Sequence, residues 1–228
     1  QARKKSQGFI KEDLVIVGIP VFAGRVPNVL LKYLNSVKGN GAQAVAVVLY
    51  GNRNFDDALI ELTDILSDNG FKVVAAGAFI GEHSFSEILA KGRPDESDME
   101  KIKDFAGDIY AKLNRKTNFP ELFVRGQKPY RNYYKPVDRY DNPFDFRVIT
   151  PQTNKDICID CKLCAEICPI GSISYSDTSL MNGICIKCCA CIKGCPVEAK
   201  YFDDENYLKH QRELEEIYSE RREPETFI

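Results

Sequence analysis

Histidine is scarce. His83 and His210 are the only two in 228 residues, and neither stands in a Cys-x-His pattern, which excludes a Rieske-type centre and leaves both as structural or solvent-facing. Long apolar runs are missing as well. None approaches the roughly 20 residues that a membrane-crossing helix needs, and the first residues carry no leader pattern; the expectation is a cytoplasmic protein with no membrane partner. A net charge of -2 excludes bulk attraction to nucleic acid or to an anionic surface. No constellation of acid, base and nucleophile stands out, so no catalytic residue is expected.

Cysteine, by contrast, is plentiful. Eight of the nine fall in two blocks, Cys158-x-x-Cys161-x-x-Cys164-x-x-x-Cys168-Pro169 and Cys185-x-x-Cys188-x-x-Cys191-x-x-x-Cys195-Pro196. Moving the first block forward by 27 positions lands every cysteine on a cysteine, Pro169 on Pro196, and Ile157 and Ile159 on Ile184 and Ile186. Such self-similarity marks a duplicated unit.

Three chemistries compete for these thiols. Structural zinc favours two Cys-x-x-Cys knuckles across a long spacer, with no use for a third cysteine or a trailing Cys-Pro. A disulfide framework belongs to secreted chains, and nothing else marks this one as secreted. Iron-sulfur chemistry fits best: thiolates at i, i+3 and i+6 on a tight loop reach three irons of one cubane, while the Cys-Pro thiolate is carried to a neighbouring cluster. Two clusters are implied. The leftover Cys189 follows a ligand directly and should point away from the cluster, as a packed free thiol.

The cysteine stretch resembles the bacterial two-cluster ferredoxins. That resemblance implies two 4Fe-4S clusters held crosswise, one by Cys158, Cys161, Cys164 and Cys195 and the other by Cys185, Cys188, Cys191 and Cys168. The ferredoxin part, 153–201, is too small for a self-sufficient core. Metal ligation must supply part of its folding energy, with Ile157, Ile159, Ile167, Ile170, Ile173, Ile184, Ile186 and Ile192 packed around the clusters to keep water off the sulfurs. Lys155, Lys162, Lys187, Lys193 and Lys200 lie near ligands, where they offset cluster charge, guide an acidic partner, or form only a solvated face.

The preceding residues alternate strand and helix. Asp13 to Ile19 is a continuous apolar run closed by Gly18 and Pro20, as expected for a strand buried on both faces. Pro27 opens a helix carrying Val29, Leu30, Leu34 and Val37. Ala44 to Leu49 is a second strand. Phe55, Leu59, Leu62 and Leu66 stripe a second helix that Asn69-Gly70 ends. Phe71 to Ala78 is a third strand, and Met99, Ile102, Phe105, Ile109 and Leu113 form the inward face of a third helix. This order predicts an α/β parallel sheet with helices on both faces, whose ligand site lies beyond the carboxyl ends of the strands.

Two loops occupy those ends. The first holds Pro20, Val21, Phe22 and Gly24; the second holds Tyr50, Gly51, Asn52, Arg53 and Phe55. Gly-x-Pro-Val-aromatic-x-Gly followed by Tyr-Gly-Asn-Arg with an aromatic beyond is similar to the flavodoxin family. The resemblance implies FMN, with Phe22 on one face of its ring, Phe55 or Tyr50 on the other, and backbone amides of Gly51 and Asn52 at the ring edge. Flavodoxins also carry a Ser/Thr/Gly-rich phosphate loop after their first strand, and none occurs here. The visible strands match the family's third, fourth and fifth. The expectation is therefore a flavodoxin-like α/β parallel sheet, incomplete at the N-terminus, over 1–117, its first two strands lying upstream of Gln1 or lost.

Residues 118–152 read as a connector in which Phe119, Phe123, Tyr130, Tyr133, Tyr134, Tyr140, Phe144 and Phe146 alternate with Arg125, Lys128, Arg131, Lys135, Arg139 and Arg147. Such interleaving marks single-strand nucleic-acid binding in some proteins. Glu121, Asp138, Asp141 and Asp145 dilute the charge, and a packed strap is the simpler expectation. Residues 202–228 follow as a helix carrying Tyr207, Leu214, Ile217 and Tyr218 and a tail ending Arg221-Arg222-Glu223-Pro224-Glu225-Thr226-Phe227. The whole resembles flavodoxin-ferredoxin fusion proteins of anaerobic microbes. That family implies an electron carrier between a flavin (FMN) or partner redox proteins and two 4Fe-4S clusters, set against a flavin-dependent reductase or a flavin-free docking platform.

Overall fold

The structure, a computed structural model, describes residues 8–115, 120–138, 140, 142 and 144–228. The expectations placed on Phe119, Arg139 and Asp141 lie outside the described residues. In chain order the elements are β1 (Leu14–Pro20), α1 (Asn28–Leu34), β2 (Gln43–Tyr50), α2 (Ala58–Asp68), β3 (Lys72–Ile80), α3 (Glu96–Asn114), β4 (Gln152–Thr153), α4 (Leu163–Glu166), α5 (Ala190–Lys193), β5 (Lys200–Tyr201), α6 (Glu205–Ile217) and β6 (Glu225–Phe227). They form two compact units. One takes Gln1–Glu82, Ala90–Tyr134 and Glu220–Ile228, and the other His83–Leu89 and Lys135–Ser219. Among the described residues no helix is long and apolar enough to cross a membrane.

The first unit is a sheet in the order β1-β2-β3-β6. The first three strands are parallel, Leu14 facing Gln43 and Gln43 facing Lys72. Small and β-branched residues make β2 and β3 fit between two layers. Ala44, Ala46 and Val48 turn to a core with Leu59, Leu62 and Leu66 of α2, while Val45, Val74, Ala75 and Phe79 turn to Phe105 and Ile109 of α3. Helix α3 starts on a reciprocal capping box: Asp95 accepts from the Asp98 amide and Asp98 accepts from the Asp95 amide, at 3.1 and 2.9 Å.

Two expectations need correcting here. Strand β1 is not buried on both faces: Leu14 and Ile16 are 46% and 69% exposed, because β1 is an edge strand and the α3 core gathers residues of β2 and β3 only. Met99 is exposed rather than inward, since the buried stripe of α3 runs through Phe105 and Ile109. Residues up to Tyr134 stay with the sheet, and β6 pairs antiparallel with β3, Ala76 facing Phe227 and Ala78 facing Glu225.

The second unit holds a two-stranded antiparallel ladder, Thr153 facing Lys200, the short helices α4 and α5, and α6. Asp204 caps α6 by accepting from the amides of Asn206 and Tyr207 at 2.9 and 3.1 Å, worth about 1 kcal/mol. Helix α6 buries Tyr207, His210 and Leu214. Tyr207 stacks on Phe202 at 4.0 Å between centroids and on Phe146 at 5.7 Å. With Ile149 and Cys189 these rings make the apolar core of this unit.

Candidate metal centre

The two cysteine blocks fold as copies. Asp160 and Lys162 have φ of 53° and 63°, and their equivalents 27 positions on, Lys187 and Cys189, have 54° and 56°. These left-handed residues coil each Cys-x-x-Cys-x-x-Cys run into a loop that feeds a four-residue helix, α4 in one copy and α5 in the other. Gly171 and its equivalent Glu198 are also left-handed, at 65° and 54°. Glycine takes that conformation without strain, whereas Glu198 holds it at a cost. The turn lets the Ser172 amide donate to Cys168 Sγ at 3.3 Å and the Ala199 amide donate to Cys195 Sγ at 3.2 Å.

Two cavities result, and each has a wall of four block cysteines. One is lined by Cys158, Cys161, Cys164 and Cys195 with Ile159, Pro196 and Val197. The other is lined by Cys185, Cys188, Cys191 and Cys168 with Ile170, Ile173 and Ile186. Each cavity thus takes three cysteines from one block and the Cys-Pro cysteine from the other. All nine cysteines are free thiols, so no disulfide competes for them. The donor sets suit a polyatomic cluster: four sulfurs line the wall of a cavity, whereas a zinc ion draws its ligands to a single point at about 2.3 Å. Among the described residues no group of three or more His, Cys, Asp or Glu side chains gathers around one such point.

The local electrostatics differ from thiol to thiol. Burial pushes the Cys191 thiol up to about 12 and raises Cys185 as well. Cys195 goes the other way. Burial pushes it up, but the backbone amides of residues 197 to 200 together outweigh that and hold it below its ordinary value. Cys185 also receives the Lys187 amide at 3.4 Å.

Cys189 lines the second cavity with its neighbours and is 4% exposed. Its Sγ lies 3.4 Å from the Tyr207 hydroxyl and 3.6 Å from the Lys187 carbonyl oxygen it donates to, and burial pushes its pKa up to about 11. His210 is buried with its ring edge-on to Phe85 and Phe146, and His83 Nδ1 accepts from the Phe85 amide at 3.1 Å. Of the isoleucines expected around the sulfurs, Ile170, Ile173 and Ile186 line the cavities, and Ile159 does so while 62% exposed. Ile157 and Ile184 are instead exposed, because each sits immediately before the first cysteine of its block and turns outward. Ile192 packs on the aromatic core, and Ile167 lies beside Gly194.

The two loops expected to seat FMN lie side by side at the carboxyl ends of β1 and β2, joined where the Asp57 amide donates to the Gly24 carbonyl at 3.1 Å. Pro20 is exposed, and Val21 and Phe22 are half-buried. Ala23 and Gly24 form a tight turn between Phe22 and Arg25, which exchange backbone hydrogen bonds of 3.0 Å. Gly24 is required there: at φ of 79°, a Cβ would meet Asp56 Oδ2 at 2.3 Å. Tyr50 and Phe55 are turned into the core, 6% and 1% exposed, and pack on each other at 5.6 Å. The Asn52 side chain donates to the Glu220 carbonyl at 2.8 Å and accepts from the Arg222 amide at 3.0 Å. Arg53 is paired with Asp56, Gly51 accepts from the Arg53 amide at 2.8 Å, and the Tyr134 amide donates to the Ala23 carbonyl at 2.9 Å. The loops thus hold down segments of their own unit, and neither Tyr50 nor Phe55 offers an open ring face.

No signal in the sequence marked Arg25, Asp57 and Glu61 as a network. Arg25 makes a two-pronged pair with Glu61, at 2.7 and 2.8 Å, and stands over the Tyr130 and Tyr133 rings. Asp57, fully buried, accepts from the amides of Gln127 and Arg131. These contacts bind part of the aromatic-basic segment to the sheet unit.

Residues 151–174 match the family model described as a 4Fe-4S binding domain. No curated protein matches the chain. The matched span carries the first four-cysteine block, and residues 151–174 are a ferredoxin-type 4Fe-4S domain with an iron-sulfur electron-transfer role.

Proposed function

We propose that this protein is an electron carrier that holds two 4Fe-4S clusters, one in each cysteine-walled cavity, and passes single electrons between partner redox proteins. One observation carries the reading: the duplicated blocks form two cavities, each walled by four motif cysteines, three from one block and one from the other. The clusters supply reversible one-electron chemistry over a potential range that hydrogen bonds, charge and exposure tune. The chain's own residues set those conditions. The amides of Ser172, Ala199 and Lys187 donate to ligand sulfurs, and Ile170, Ile173, Ile186 and Val197 keep water from them.

A flavin is the alternative partner, and FMN bound within the chain would make the protein a flavin-fed carrier or reductase. Tyr50 and Phe55 would have to leave the core to stack on its ring, which favours a partner protein over a resident flavin. A reducing cytoplasm suits nine free thiols.

An anaerobic reductive titration tests the reading. About two electrons per chain are expected, one for each cubane, with no flavin bands in the spectrum. Uptake of one electron or none overturns the two-cluster carrier, and stoichiometric flavin overturns the preference for a partner protein.

A further inference from the structure

The two cavities are walled by equivalent residues, yet they differ in charge. Lys200 lines the first cavity, and the residue 27 positions before it, Ile173, lines the second. Lys200 is 3% exposed, and its ammonium donates to the Thr178 carbonyl oxygen. Among the described residues no carboxylate pairs with this ammonium, whose bonding partner is that carbonyl. A buried ammonium without an anion is costly. An anionic group in the cavity beside it removes that cost.

A second observation points into the same cavity. Thr153 faces Lys200 across the ladder and lines the same wall. Its Oγ1 is buried with no hydrogen-bond partner, the one such side-chain atom among the described residues. A buried hydroxyl calls for a partner, and a sulfur in the cavity is an acceptor for its O–H. The equivalent position in the other copy is Leu180, which has no hydroxyl.

The other cations of the site are arranged differently. Lys162 lines the first cavity but is neutralised by Asp160 at 2.6 Å. Lys187 of the second block is buried too but lines neither cavity; its ammonium donates to the carbonyls of Arg147 and Cys185 at 3.0 and 3.1 Å, and its charge favours the Cys185 thiolate. The field of Lys200 also reaches Cys191 on the second wall, where it opposes the effect of burial.

We propose that Lys200 and Thr153 make the two cluster sites unequal, raising the reduction potential of the cluster held by Cys158, Cys161, Cys164 and Cys195 above that of its twin, so that the first electron taken from a donor rests there. The inference depends on the two-cluster reading. Its physical basis is that reduction adds one negative charge, which a nearby ammonium and a hydrogen bond to sulfur both stabilise. The electron comes from an external reductant, and no proton need accompany it.

The test is an electron-paramagnetic-resonance redox titration of the full chain purified without oxygen, with dithionite as reductant. Paramagnetically shifted cysteine signals assign each step to its ligand set, and iron is counted on every sample. The wild type should reduce in two steps, the Cys158 set first. Lys200→Met and Thr153→Val should each lower the potential of that set. For Lys200→Met, a tenfold change in the reduced-to-oxidised ratio is expected, or 59 mV for one electron, with a smaller shift on the other set. Two equal steps in the wild type, equal shifts on both sets, or no shift with full iron in both variants overturn the inference while the two-cluster reading stands. If Lys200→Met fails to hold its iron, Thr153→Val alone decides by the sign of its shift. A wild type with one cluster's iron overturns both.

Discussion

Ser172 and Ala199 stand 27 positions apart and do the same thing: each donates its amide to the sulfur of a Cys-Pro cysteine, Cys168 at 3.3 Å and Cys195 at 3.2 Å. Each of those cysteines lines the cavity of the opposite block. The duplication is therefore preserved in hydrogen bonding and in the exchange of cavity-lining cysteines, beyond the spacing of the cysteines.

The exchange can be tested by pairing mutations. Cys164→Ala and Cys195→Ala, alone or together, should each remove about half the iron, because both strip one cluster. Cys164→Ala combined with Cys168→Ala should remove nearly all of it. Iron analysis showing that the second pair loses only half contradicts the crossed ligation.

Cys189→Ala should keep all the iron and sulfide. Phe202→Ala should instead destabilise the second unit by about 3–5 kcal/mol, the usual cost of emptying a buried ring's place, since Phe202 stacks on Tyr207 at 4.0 Å. Iron analysis checks the first variant and denaturant unfolding the second. Iron loss on removing Cys189 would make it a ligand.

The ion pair between Arg93 and Asp98 is buried, at 7% and 1% exposure, and Arg93 also donates to the Arg222 carbonyl at 3.1 Å. Asp98→Asn leaves the buried guanidinium only the more exposed Asp95, at 3.9 Å, as counter-charge. A loss of about 3–5 kcal/mol is expected, read as a lower urea midpoint. An unchanged midpoint would show that Arg93 finds another anion.

Acid should loosen the C-terminal strand. The Arg221 hydrogen bond and then the Asp98 amide hold the Asp95 carboxyl well below the usual carboxylate range, and Lys101 and Arg221 lower Glu223. A carboxylate whose folded pKa lies below its unfolded one, roughly 4, stabilises the fold above that value. The stabilisation is lost as pH falls through the folded pKa. Hydrogen-exchange protection factors at Glu225–Phe227 should begin to fall as pH drops below about 4 and keep falling toward about pH 2, relative to those of β2. Constant protection contradicts the anchoring.

Much of this was legible in the sequence, for reasons that differ by element. The three parallel strands and their helices show as apolar periodicity, and the observed bounds fall within two residues or so of the expected runs at β1 and β2. Strand β6 has only three residues, too few to carry a period. The exposed face of β1 depends on which strands α3 covers, which is a tertiary fact. Tyr50 and Phe55 look alike whether they stack on a ligand or on each other, and only packing separates the two. The cysteine blocks were legible because spacing alone constrains a ligand set. Lys200 against Ile173 was legible by the same shift of 27, once positions other than cysteines were compared.

Iron and acid-labile sulfide, counted per chain on protein purified without oxygen, test the central claim most directly. Two cubanes require about eight of each. Four of each, or a single zinc with no sulfide, would contradict it.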